Sequence, residues 1–188
     1  MLKSIHLCPN HGGRVKRYRR LSFKPGLNLL IGPNGTGKST ILRAIAECSD
    51  CRRIEERPTE YALFDSESMN PRLARGPAGN YTNMLLRIRA QFSSHGQTLQ
   101  EAFSVLRITP HTCLLLDEPE SGQDFEHVLA LRAAMDRAVS RGAQVICSTH
   151  QVLFWARAHF IELRRGYRQR ITKAVCLVKC LKTGLGAQ

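Results

Sequence analysis

The stretch "IGPNGTGKST", Ile31 to Thr40, constrains this chain more than any other. Within it, Gly32 to Ser39 reads GxxxxGKS. It lies between an apolar run, "GLNLLIG", and a segment whose apolar residues Ile41, Leu42, Ile45 and Ala46 have helical spacing. The order is strand, glycine-rich loop, helix. In that order Gly35 and Gly37 let backbone N–H groups close around a phosphate chain, and the helix N-terminus adds its dipole. Lys38 reaches the β and γ phosphates, and Ser39 offers a hydroxyl to Mg²⁺. Asn34, Gly35, Thr36, Gly37, Lys38, Ser39 and Thr40 are therefore the candidate nucleotide-binding residues.

Further strands alternate with helices along the rest of the chain. "EYALFD" is predicted as a strand, followed by a loop, "ESMNPRLARGPAGN", and by a helix from Tyr81 with Leu85, Ile88 and Phe92 on one face. "CLLLD", Cys113 to Asp117, is too apolar for an edge and reads as a central parallel strand. Phe125 to Ser140 is predicted as a helix with Val128, Leu131, Met135 and Val139 inward, closed by Arg141 and Gly142. "QVICST" is another buried strand, and Val152 to Ala158 a short helix leading into "FIEL". At the N-terminus, Leu2 to Leu7 and Arg14 to Phe23 are predicted as two strands joined by the turn "PNHGG", forming a separate antiparallel layer. The basic segment from about residue 164 to 188 is expected as a hairpin or tail. The expected fold is α/β, a mostly parallel sheet flanked by helices, with ligand loops at the strand C-terminal ends and one domain over residues 1–188.

An apolar run delivers Asp117 and Glu118 together in "LLLDEPE". Asp117 is the candidate metal-side carboxylate, and Glu118 is placed to orient or deprotonate an attacking water. His150 ends "ICSTH" at the tip of a neighbouring strand, where a neutral imidazole could contact the γ-phosphate or serve a structural role.

Composition narrows the class. At 188 residues and 43% apolar content the chain suits one well-buried domain. It has no apolar run of about 18 residues and no signal-type N-terminus, so a cytoplasmic protein without membrane insertion is expected. Its net charge of +13 is uneven. Residues 1–46 carry nine Lys or Arg and no acid, and residues 163–188 carry seven and no acid. The two basic ends read either as a surface for DNA or an acidic protein, or as a solvated strand face. Of the seven cysteines several lie in apolar runs, as buried reduced thiols do. Cys8 with His11 and Cys48 with Cys51 make four metal-type ligands, but their spacing lacks the repetition of zinc frameworks, and coincidence is the expectation.

Taken in order, these segments resemble an ABC-type ATPase, in particular the small standalone prokaryotic group related to AAA, SMC, RecF and OLD proteins. The resemblance makes Gly32 to Ser39 the Walker A loop, Asp117 the Walker B aspartate and Glu118 the catalytic glutamate. "SGQD", Ser121 to Asp124, becomes the D-loop and His150 the switch histidine. "SSHGQ", Ser93 to Gln97, resembles the family signature LSGGQ, with Ser93 and His95 as departures. The resemblance implies that Ser94, Gly96 and Gln97 cap the nucleotide of a second subunit. Two chains would then pair head to tail on ATP, as a homodimer or with a related ATPase. Glu67, at the family's Q-loop position, departs from its usual glutamine and is a candidate Mg²⁺ ligand beside Ser39 and Asp117. Tyr18 either stacks on adenine or packs across strands.

Lys38 to Ser94 spans 56 residues and Glu67 to Ser94 only 27, which implies a truncated helical subdomain rather than the multi-helix one of transporter ATPases. The leading expectation is thus a Mg²⁺-dependent ATPase that dimerises on ATP and couples closure to DNA or a DNA-acting partner. The alternatives are the ATP-binding subunit of an ABC transporter, and an ATP-switched regulatory subunit of a nuclease or toxin effector protein.

Overall fold

The computed structural model describes residues 1–15, 19–65 and 107–184, with side chains as far as residue 177. Among the described residues, five parallel strands form the central sheet. They are β3 (Leu27–Ile31), β5 (Glu60–Asp65), β6 (Thr112–Asp117), β7 (Gln144–Ser148) and β8 (His159–Glu162), in the order β5-β6-β7-β3-β8. Helix α2 (Lys38–Glu47) covers one face and α3 (Phe125–Ser140) the other. Strand β6 shows how the sequence dictates this sandwich. Its side chains alternate, so Cys113 and Leu115 join Ile41, Leu42 and Ile45 of α2, while Leu114 and Leu116 join Val128, Leu131 and Met135 of α3. A strand buried on both faces has no polar alternation, which is why "CLLL" is continuously apolar.

A second, antiparallel sheet packs on the α2 side, in the order β2 (Arg20–Ser22), β1 (Leu2–His6), β4 (Arg52–Glu55). Gln144, 1% exposed at the start of β7, ties the two sheets together. Its Oε1 accepts from Leu2 N at 2.9 Å, and its Nε2 donates to Leu2 O at 2.9 Å and Lys24 O at 3.0 Å. One buried amide thus satisfies three backbone groups at a junction where neither sheet's ladder reaches them.

Three local expectations are corrected. The turn predicted at "PNHGG" belongs to a short helix, α1 (Pro9–Val15), and the second strand begins only at Arg20. Pro9 suits the first helical position, which the turn-forming composition of the stretch obscures. The basic C-terminal segment forms one helix, α4 (Tyr167–Gly184), not a hairpin. It has no glycine or proline between Gly166 and Gly184 to turn it, and Arg, Lys, Gln, Ala and Leu favour a helix. The segment after β7 is helical only as a 3₁₀ turn, Val152–Trp155. The truncated helical subdomain, Tyr18, Glu67 and the signature-like Ser93 to Gln97 lie outside the described residues.

Candidate active site

The C-terminal ends of three strands converge on the glycine-rich loop. Register places Asp65 of β5 beside Asp117 of β6, and Asp117 beside Ser148 of β7. Around them lies a cavity of about 460 Å³ lined by Arg14, Asn34, Gly35, Gly37, Lys38, Ser39, Thr40, Asp65, Asp117 and Glu118. The loop adopts the conformation its glycines allow. Gly37 has φ +92°, and a Cβ there would lie 3.0 Å from Val15 Cγ2, so α1 packs directly against the loop that starts α2. Thr36 differs from its neighbours in that its hydroxyl is used inside the loop, donating to Pro33 O at 2.8 Å. Its backbone N–H points to the same carbonyl, at 3.4 Å.

Lys38 is buried, yet its ammonium is richly partnered. Nζ donates to Gly32 O at 3.3 Å, lies 3.0 Å from His150 Nε2 and 3.4 Å from Glu118 Oε1. Glu118 Oε1 in turn sits 3.3 Å from His150 Nε2. A lysine, a glutamate and a histidine distant in sequence therefore share one small volume at the mouth of the loop. The Glu118 carboxylate is the anionic partner of the Lys38 ammonium in this arrangement. Glu118 is also held at φ +44°, a left-handed conformation rarely taken by non-glycine residues. Its backbone N–H is fixed by Ser148 Oγ at 3.0 Å and Ser148 O at 3.1 Å.

Asp117, 6% exposed, accepts from Ser39 Oγ at 3.1 Å and Ser148 Oγ at 2.6 Å, both on Oδ1. Ser39 Oγ spends its proton on Asp117 Oδ1, which leaves the hydroxyl lone pairs for a hard cation and Asp117 Oδ2 for a water bound to it, a donor set that fits Mg²⁺.

Four contributing residues escape the sequence reading. Asp65 lines the cavity and pairs with Arg43 Nη2 at 2.5 Å. It ends its strand as Asp117 ends "CLLLD", and that parallel was a usable signal. Ser148 fixes both Asp117 and Glu118. Glu120 Oε1 accepts from Thr149 Oγ1 at 2.6 Å and from His150 N at 2.9 Å, setting where His150 stands. Arg14 comes from α1, which was read as part of a turn and strand.

A protein-family model described as an AAA domain matches residues 14–49, the part of the chain that holds the loop and α2. The cytochrome c biogenesis ATP-binding export protein CcmA of Paracoccus denitrificans is 32% identical over 160 residues, covering 73% of this chain and 76% of that protein. The chain belongs to the ABC-type ATPases. CcmA of Maricaulis maris is 28% identical over 176 residues, covering 76% of this ABC-type ATPase and 82% of its relative. The DNA replication and repair protein RecF of Magnetococcus marinus is 28% identical over 159 residues. There the alignment takes in 77% of this ATPase but only 41% of RecF.

Proposed function

We propose that this ATPase hydrolyses Mg²⁺-bound ATP with Glu118 as general base, pairs with a second ABC-type subunit when ATP binds, and couples that closure to DNA or to a DNA-acting partner. The observation that carries the reading is the Lys38–Glu118–His150 cluster set beside Asp117 and Ser39. When the phosphate chain enters the loop, Lys38 exchanges the Glu118 carboxylate for phosphate oxygens. Glu118 is thereby released to accept a proton from the water that attacks the γ-phosphorus, and ADP departs as the leaving group. His150, held through its backbone by Glu120, donates from its imidazole to the terminal phosphate. Ser39 and Asp117, with Glu67, would hold the metal, which would supply neutralisation of charge on the phosphate oxygens.

Pairing has its own support. Phe125 and Leu129 are 59% and 46% exposed, one turn apart on α3 directly after the Ser121 to Asp124 turn. An apolar strip there suits burial against a second subunit whose Ser94, Gly96 and Gln97 cap the nucleotide. The test is the solution mass of the Glu118→Gln protein by light scattering. A dimer only with Mg-ATP is expected, and a monomer with and without ATP would overturn self-pairing.

For DNA, the support is exposed positive charge. Arg19, Arg20 and Lys24 are exposed near β2, and so are Arg164, Arg165, Arg168, Arg170 and Lys173 on and before α4. Affinity for duplex DNA should fall steeply as salt rises, because bound phosphates release counterions. No binding at low salt would remove DNA from the proposal.

The second reading is the energising subunit of an exporter, favoured by the CcmA relatives. None of the helices among the described residues is long and apolar enough to cross a membrane, so such a role needs a separate membrane protein. Co-purification with one from the membrane fraction would establish it.

A further inference from the structure

Away from the nucleotide cavity, the other end of α2 carries a second set of chemistry. Cys8 ends the segment after β1, His11 lies in α1, Cys48 caps the C-terminus of α2 and Cys51 directly precedes β4. Antiparallel pairing of β1 with β4 sets His6 opposite Arg52, and so carries Cys8 and Cys51 to the same end of the sheet. The four ligand atoms lie within 4.8 Å of one another. His11 Nδ1 is 3.1 Å from Cys8 Sγ and 3.6 Å from Cys51 Sγ, and Cys8 Sγ is 4.0 Å from Cys48 Sγ. We propose that Cys8, His11, Cys48 and Cys51 bind one structural Zn²⁺ ion that fastens α1 to the C-terminal end of α2.

Several independent features agree. Around a tetrahedral zinc with ordinary bond lengths, sulfur and nitrogen ligands stand about 3.5 to 3.8 Å apart. The separations found here straddle that range. Three cysteines and one histidine in C-x₂-H and C-x₂-C pairs make a closed four-ligand set, with no position left for a reacting water. An iron–sulfur cluster needs its cysteines farther apart than a mononuclear site does, so this volume suits one ion. The Cys8 backbone N–H donates to Cys51 Sγ at 3.3 Å, the kind of outer contact that stabilises a metal-bound thiolate. Cys48 sits at the negative end of the α2 dipole, which favours a cation.

The protein also has a use for such an ion. Helix α1 has seven residues and contains Gly12 and Gly13. A helix so short and so rich in glycine does not persist on propensity alone. Val15 packing on Gly37 holds one end of it, and the metal would hold the other. The coincidence expected from the uneven cysteine spacing therefore gives way to a built site. The signal is hidden because the two pairs meet through tertiary contacts, among them the pairing of β4, a strand whose charged sequence, "RRIE", shows no apolar alternation.

The test is made on the full chain purified without a polyhistidine tag, passed over a weak chelator and analysed by mass spectrometry for metals. One zinc per chain is expected in the wild type and in Cys176→Ser, which removes an exposed cysteine outside the cluster. Less than a tenth of that is expected in Cys48→Ser/Cys51→Ser. Because the double variant could fail to fold, Cys51→His provides a folded counterpart that should retain zinc through two cysteines and two histidines. Growth with cobalt should give wild-type protein the visible bands of tetrahedral Co²⁺ and a thiolate-to-cobalt charge-transfer band. Stripping zinc with a strong chelator should lower the melting temperature by roughly 10 °C or more. A metal-free wild type that takes up no cobalt, zinc content unchanged in the double variant, or an unaltered melting temperature after stripping would each overturn the site.

Discussion

Helix α2 meets an anion-binding loop at Lys38 and a thiol-rich cluster at Cys48, and the two ends differ in how their ligands are spread along the chain. At the N-terminal end most of the candidate nucleotide-binding groups fall within one stretch, Asn34 to Thr40, so local backbone geometry builds the cradle. At the C-terminal end the four ligands come from two pairs that the pairing of β1 with β4 and the packing of α1 on α2 unite. The polarity of the helix suits both, positive toward phosphate and negative toward a metal. A contiguous site depends on its own loop, whereas a dispersed site depends on the fold. Damage to the first should therefore abolish chemistry and spare stability, and damage to the second should do the reverse.

Substitutions at the nucleotide end separate the two roles most clearly. Lys38→Ala is expected to abolish measurable ATP binding by calorimetry. Glu118→Gln should keep ATP binding and lose turnover by roughly 10² to 10⁴-fold, the range for removal of a general base. Both proteins should melt close to wild type. Normal ATP affinity in the lysine variant would remove Lys38 from its phosphate role. A large loss of melting temperature in either variant would show that the loop is structural as well as chemical.

The contrast also explains what the sequence makes legible. The parallel sheet, α2 and α3 follow from apolar runs and helical spacing, and α3 spans the predicted Phe125–Ser140. Lys38 and Ser39 follow from the glycine-rich motif, and Asp117, Glu118 and His150 from their places at or just past strand ends, and the fold brings the five together. What escaped was set by tertiary context. β4 is a half-exposed outer strand with no alternation to read, α1 begins in a stretch that looks like a turn, and α4 is mostly exposed over residues 167–177. Arg14 is hidden by the turn-like composition of α1, whereas Asp65 stands at a strand end as Asp117 does and is legible by that parallel.

Between the two ends lies the joint that makes the antiparallel layer part of the domain. Gln144→Ala strands the Leu2 N–H and removes the donor to two carbonyls at a buried position. The expected loss is about 3 kcal/mol of unfolding free energy, read from denaturant midpoints at unchanged m-value. Gln144→Glu should be no better, since a carboxylate can still accept from Leu2 but cannot donate. If both variants unfold like wild type, the two sheets are joined by apolar packing alone, and the cluster at Cys8 is less dependent on the central sheet than the comparison holds.

The smallest expected effect is the most informative about how the two ends communicate. Arg14 is exposed, lines the nucleotide cavity and projects from α1, the helix that also carries His11. Arg14→Ala should weaken ATP binding about fivefold, near 1 kcal/mol, as for a solvent-screened charge contact. If the metal matters to the nucleotide only by holding α1, zinc removal should cost a similar factor in the wild type and almost nothing further in Arg14→Ala. The double-mutant logic isolates the coupling, because each change removes the same contact by a different route. Additive losses would mean that the metal end reaches the nucleotide through α2 itself, by shifting the loop at Lys38. No loss on zinc removal would leave the two ends of the helix independent, one for chemistry and the other for the fold.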